Sequence, residues 1–148
     1  MVRASGSAVI ERPLGEVFAY LTDVTNAVAW HATDLYVDLL TPPPIAVGSQ
    51  FLQVTQKLGR RFESVVEVVW FEPLARFTCR AVEGPVPTEI DYRFSSVSEG
   101  LTRVELEIAG DNAGFYAVAD RVVQAATERE IAAALGNVKD ILEDRAGR

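Results

Sequence analysis

Between Phe62 and Ile108 the chain alternates apolar and charged residues in four successive stretches. Phe62, Ser64, Val66, Val68 and Trp70 share a side free of charge, with Glu63 and Glu67 on the other. Phe77, Cys79 and Ala81 oppose Arg76 and Arg80. Thr88, Ile90, Tyr92 and Phe94 oppose Glu89, Asp91 and Arg93, and Thr102, Val104, Leu106 and Ile108 oppose Arg103, Glu105 and Glu107. A period of two marks a half-buried strand. Strands joined by turns as short as Leu58-Gly59-Arg60, Glu72-Pro73 and Ser98-Glu99-Gly100 pair antiparallel. A sheet with one apolar face needs a cover, and this requirement governs the rest of the chain.

The cover is the C-terminal segment from Ala113 to Asp144, where Val123, Ile131, Leu135, Val138 and Leu142 recur at helical spacing. At 1.5 Å per residue such a helix reaches about 48 Å, enough to cross a sheet. Upstream, Ser5 to Glu11 reads as a first strand. Pro13 opens a short helix carrying Leu14, Val17, Phe18 and Leu21, and Asp23 caps a second that ends at Trp30. Leu35 to Leu40 and Val47 to Leu58 add two strands, joined by the stiff run Thr41-Pro42-Pro43-Pro44. The second of them is ambiguous, because Phe51 and Leu52 fall on opposite sides. The expected architecture is α+β: a seven-stranded curved antiparallel sheet wrapped around a long C-terminal helix, with two short helices between strands 1 and 2.

A length of 148 residues fits one domain, residues 1–148, with a sizeable core. The formal charge of −7 argues against nucleic acid, whose binding rests on Lys and Arg. The densest basic groups, Arg60-Arg61 and Arg145 with Arg148, read as solvated charge. The one cysteine, Cys79, forms no intrachain disulfide and agrees with a reducing, cytoplasmic setting. No basic head followed by an apolar run suggests a secretion signal, and no run of about 18 apolar residues suggests integral membrane association. The sheet edges leave the oligomeric state open.

The order and punctuation of these elements resemble the START-like, or polyketide cyclase/dehydrase (SRPBCC), superfamily, with its helix-grip fold. The matching residues run from Ile10, Pro13, Val17, Phe18, Leu21, Asp23 and Trp30, through Val47-Gly48, Gly59-Arg60, Glu72-Pro73, Gly84-Pro85 and Gly100-Leu101-Thr102. They end with Leu135, Val138, Lys139 and Leu142-Glu143. The resemblance implies a cavity between sheet and helix. Proteins of this kind bind lipids, polyketides, hormones or quinones, and some cyclise or dehydrate polyketides; the fold does not choose among them.

Chemistry-bearing residues are sparse. His31 is the one histidine, so with Cys79 alone no metal set can be assembled. No Gly-x-Ser-x-Gly elbow, phosphate-cradling loop or dinucleotide fingerprint appears, and no cofactor is expected. His31 reads first as a helix-end histidine, bonded to backbone or exposed. Its functional reading is a group that orients a ligand or moves a proton. Tyr92 is either a core tyrosine or a donor to a ligand carbonyl, and an enzyme would draw on His31 and Tyr92, with Tyr20 or Tyr36 behind them. Buried Cys79 acts as a small hydrophobe. Glu128-Arg129-Glu130 reads first as solvated charge, and the alternative for Glu130, within a turn of Ala126 and Thr127, is a place at the pocket border.

The pocket is expected among Trp30, His31, Phe62, Val66, Trp70, Phe77, Cys79 and Tyr92. Across from them stand Val118, Val122 and Ala126, grouped with Phe115, Ala119 and Val123 in the first half of the long helix, where small residues leave volume unfilled. Three functions follow: binding or carrying a small hydrophobic ligand such as a lipid or polyketide; a polyketide cyclase or dehydratase using acid–base groups in the same cavity; or a protein-partner module whose cavity has collapsed.

Overall fold

The computed structural model describes residues 1–146; Arg148 lies outside them. Strand β1 (Val2–Ile10) leads through Pro13 into α1 (Leu14–Thr22). A 3-10 turn (Val24–Asn26) and a one-turn helix α2 (Ala27–Trp30) follow, so the expected second helix is split. The Asp23 carboxylate accepts from the Thr25 backbone N–H, which caps the 3-10 turn. Then come β2 (Asp34–Leu39), β3 (Gln50–Lys57), β4 (Arg60–Glu72), β5 (Arg76–Glu83), β6 (Thr88–Ser98), β7 (Leu101–Gly110) and the helix α3 (Asp120–Ala146).

All seven strands form one antiparallel sheet in the order β1-β7-β6-β5-β4-β3-β2. The meander β2 to β7 folds back so that β1 closes against β7, with Gly6 opposite Leu106. Lys57 and Arg60 close a two-residue hairpin in which Leu58 and Gly59 both take positive φ, the turn whose twist suits antiparallel strands. Phe94, Val104, Leu106 and Ile108 are buried on the concave face as their alternation requires. Val123, Ile131, Leu135, Val138 and Leu142 are all buried against that face.

Helix α3 settles on β1. Its closest approach is at Gly6, where an added Cβ would stand 2.8 Å from Ile131 Cγ2. A helix drawn to the β1 edge of a curved sheet leaves the inner faces of β3 to β5 to be covered by other means. Phe18 and Leu21 of α1 and Trp30 of α2 cover one end as part of the main core. A smaller cluster around Val2, Val86, Tyr116 and Val123 closes the other, with Phe62 and Phe115 packed on it.

Two expectations need correction. The long helix begins at Asp120, not Ala113, because Ala113, Gly114 and Ala117 all adopt positive φ, which a right-handed helix excludes. Side chains stabilise these turns: Asp111 accepts from the Ala113 N–H and Asn112 from the Gly114 N–H. Phe115, Val118 and Ala119 therefore precede the helix. Second, Trp70 points outward and is 47% exposed. Val68 pairs with Cys79 and Trp70 with Thr78, so Val69 is an additional residue that shifts the phase of β4. Arg60 and Arg145 are exposed, in keeping with their reading as solvated charge, and each also lies over an aromatic ring: Arg60 is 4.5 Å from the Phe115 ring centre and Arg145 is 5.0 Å from that of Tyr20.

Candidate functional site

The uncovered part of the concave face encloses a cavity of about 60 Å³. Its apolar wall is Phe62 and Val66 of β4, Cys79 and Ala81 of β5, Ile90 of β6 and Ile108 of β7. Its polar wall is Gln53, Thr55 and Lys57, successive inward positions of β3, facing Glu130 of α3. This resolves the ambiguity of β3: Phe51 and the residues two, four and six further on point inward, and most of them are polar. Tyr116 closes one end, and beyond it lies a void of about 40 Å³ beside Val123 and Thr127. At the other end His31, Asp34 and Gln53 separate the cavity from an inner chamber of about 20 Å³ lined by Trp30, Phe51, Phe77 and Tyr92.

Four ionisable side chains are linked along this wall. His31 ends α2, where its backbone N–H donates to the Ala27 carbonyl, and its ring is buried with both nitrogens facing carboxylates. Nε2 lies 2.6 Å from Glu130 Oε2 and Nδ1 3.3 Å from Asp34 Oδ2. Lys57 Nζ lies 2.9 Å from Glu130 Oε1 and donates to Thr127 Oγ1, also at 2.9 Å. The Lys57 contact with Oε1 is ionic but lacks the alignment of a hydrogen bond, so Oε1 keeps unmet accepting capacity. Gln53 Nε2 donates to Asp34 Oδ1. The Glu130 side chain is 9% exposed, which overturns its reading as solvated charge.

Burial by itself would pull the His31 pKa down. The charges of and hydrogen bonds to Asp34, then Glu130, outweigh it and raise the pKa to about 10. Burial would likewise push Glu130 up, but the hydrogen bond from His31 and the charges of His31 and Lys57 hold it below the usual carboxylate range. At neutral pH the wall therefore carries an imidazolium and an ammonium against two carboxylates. Tyr116 is pushed up to about 12 by burial and Glu130, and Tyr92 is raised well above the ordinary phenol value by burial, with Cys79, Asp34 and Glu130 adding to it; both remain phenols. Burial also raises the Cys79 thiol, which stays protonated. Among the described residues no group of three or more His, Cys, Asp or Glu is arranged to hold a metal ion.

Of the residues singled out from the sequence, His31, Phe62, Val66 and Cys79 line the cavity, and Trp30, Phe77 and Tyr92 line the inner chamber. Trp70, Val118, Val122 and Ala126 line neither of these nor the void beyond Tyr116. Trp70 is turned out by the bulge. Val118 lies in the turns before α3 and is 42% exposed, and Val122 is 38% exposed because the inward face of α3 runs through Val123, Thr127, Glu130 and Ile131. Tyr36 is exposed and Tyr20 packs under Arg145, both away from the cavity. Asp34 and Lys57 carry no signal in the sequence, and Glu130, read first as solvated charge, takes its alternative place at the pocket border. Glu130 did carry a signal: it stands seven residues after Val123 and beside Ile131, on the apolar stripe itself.

A curved sheet gripping a C-terminal helix around an internal cavity defines the START-like, SRPBCC class. The sequence profile of the family described as polyketide cyclase / dehydrase and lipid transport matches residues 1–143, and the chain belongs to that family. Comparison with curated proteins finds no match. Similar solved structures include the Zhui aromatase/cyclase from Streptomyces sp. R1128, 17% identical over 97% of this chain and 94% of that one, with a TM-score of 0.79. A START superfamily protein from Mycobacterium smegmatis is 12% identical over 94% and 98%, with a TM-score of 0.75. A conserved protein from Geobacillus kaustophilus is 13% identical over 97% and 96%, with a TM-score of 0.79. At these identities the structural likeness shows the fold. Among the described residues no helix is long and apolar enough to cross a membrane.

Proposed function

We propose that the chain binds a small, mostly apolar organic molecule in the cavity between sheet and α3, with the molecule's polar end at Lys57, Glu130 and His31. The observation that carries this reading is the buried line of four charges along one wall of a cavity whose other wall includes Phe62, Val66, Cys79, Ala81, Ile90 and Ile108. Ionised groups are costly to bury, and well-packed apolar residues commonly serve folding as well or better. A wall that keeps them beside open volume, across from an apolar wall, supplies the convergent polar groups of a ligand site.

Size limits the ligand. A cavity of about 60 Å³ is smaller than the ~150 Å³ apolar void that accepts benzene. A larger guest enters by displacing a wall, and the segment 111–119, held by turns and not by the sheet ladder, is the wall suited to move. Native mass spectrometry of the purified protein tests the reading. A co-purifying small-molecule mass is expected, absent from an Ala81→Phe variant that fills the cavity. A wild-type protein that carries no adduct and takes up no aromatic or aliphatic probe counts against it.

A second reading, acid–base catalysis of the cyclase or dehydratase kind, draws on one specific contact. Glu130 is an ionised carboxylate at the cavity wall, with Lys57 beside it as a proton donor. Glu130 is placed to accept a proton from an activated carbon, and Lys57 to give one to a departing oxygen. His31, held as an imidazolium, positions Glu130. Loss of turnover of a poly-β-ketone thioester in Glu130→Gln, with uptake retained, separates catalysis from binding alone.

A further inference from the structure

Trp30 is 2% exposed, yet its indole N–H meets no acceptor among the described residues. A buried donor left unmet is costly, so an orphan of this kind calls for a partner. The ring is otherwise firmly held: it stacks on His31, with ring planes 6° apart, and meets Tyr92 edge-on. It also lines the inner chamber of about 20 Å³, enough for one oxygen atom of water size. Leu21, Val24, Ala27, Phe51, Phe77 and Ile90 there offer no acceptor, Cys79 and Tyr92 make no hydrogen bond to the indole, and Asp34 and His31 are engaged with each other and with Gln53 and Glu130. His31, Asp34, Gln53, Cys79 and Ile90 border both this chamber and the main cavity, so the two volumes share one wall.

We infer that the inner chamber is a seat for a single hydrogen-bond-accepting oxygen, held by the Trp30 N–H. Resting on the binding reading above, the oxygen is the carbonyl of a ligand whose apolar body lies in the main cavity. With no ligand bound, one water takes the same seat. An indole donates and cannot accept, so the seat selects ketones over hydrocarbons of the same shape.

Acetophenone and α-methylstyrene differ only in a carbonyl against a methylene and serve as the probe pair. The chain has two tryptophans, and an exposed-site Trp70→Phe change assigns the remaining indole N–H resonance to Trp30. Without a probe, a water cross-peak to that proton is expected. Acetophenone should abolish it and α-methylstyrene leave it, with acetophenone binding about tenfold more tightly. In Trp30→Phe, checked for folding by its retained NMR dispersion, the preference should fall to about onefold. A cross-peak that persists with both probes bound, with equal affinities, assigns the oxygen to water alone and overturns the carbonyl. No cross-peak and no preference overturns the seat altogether. If neither probe binds but the cross-peak is present, the binding reading fails while the seat stands.

Discussion

Replacing Glu130 by glutamine removes one of the two carboxylates that hold His31 as an imidazolium, while keeping the side chain's length and an acceptor oxygen. Unfolded His31 releases its proton near 6.5, and the folded protein holds it to about 10. Below 6.5 both states are protonated and the stabilisation is complete. Between 6.5 and about 10 only the folded state binds the proton, so stability falls as pH rises, at up to about 1.36 kcal/mol per pH unit. The whole interval amounts to roughly 5 kcal/mol. In Glu130→Gln only Asp34 still faces the ring, and the loss across the interval should shrink by roughly half. At neutral pH the variant leaves Lys57 without its carboxylate and should lose about 3 kcal/mol, or roughly 9 °C in Tm. Urea unfolding followed by tryptophan fluorescence, repeated across the interval for both proteins, reads both effects. A wild-type stability that stays flat, or a variant with the wild-type slope, refutes the imidazolium assignment.

Other expected outcomes rest on packing. Gly6→Ala should lower stability by about 1–3 kcal/mol, because its Cβ would press on Ile131 Cγ2, and an Ile131→Ala change, which removes Cγ2, should cost less in the Gly6→Ala background than alone in a thermal melt. Val122→Ser should stay within about 0.5 kcal/mol of wild type, whereas Val123→Ser, one position round the helix and buried, should cost several-fold more by denaturant unfolding. Trp70→Phe should shift stability by no more than about 1 kcal/mol, the scale of its contact with the Arg76 guanidinium 4.7 Å away, and should leave probe binding unchanged.

The sheet was readable wherever one face is apolar and the other charged. Strands β6 and β7 meet that condition, and Tyr92, Phe94, Leu106 and Ile108 point inward as alternation requires. Strand β3 does not meet it, because its inner face carries Gln53, Thr55 and Lys57; the site itself erased the pattern that would have located the strand's face. The same conflict hid Glu130. A carboxylate is assigned to solvent because burial is costly, and only its partners His31 and Lys57, 99 and 73 residues away in the chain, make that burial tolerable. The late start of α3 depends on Asp111 and Asn112 bonding to the next turn, a competition with helix that apolar periodicity cannot register.

The additional residue Val69 divides β4 into two segments with opposite parity. Before it, even-numbered Ser64, Val66 and Val68 face inward and two of them border the ligand volume; after it, odd-numbered Phe71 packs on Phe18 and Phe77 in the core. One strand thus serves two compartments that answer to different requirements. Substitutions at Ser64 and Val66 can alter the cavity wall without disturbing the aromatic cluster that anchors α1, whereas deleting Val69 would restore regular alternation through β4, with Trp70 still outward and Phe71 still inward, and would remove only the local bend between the two segments.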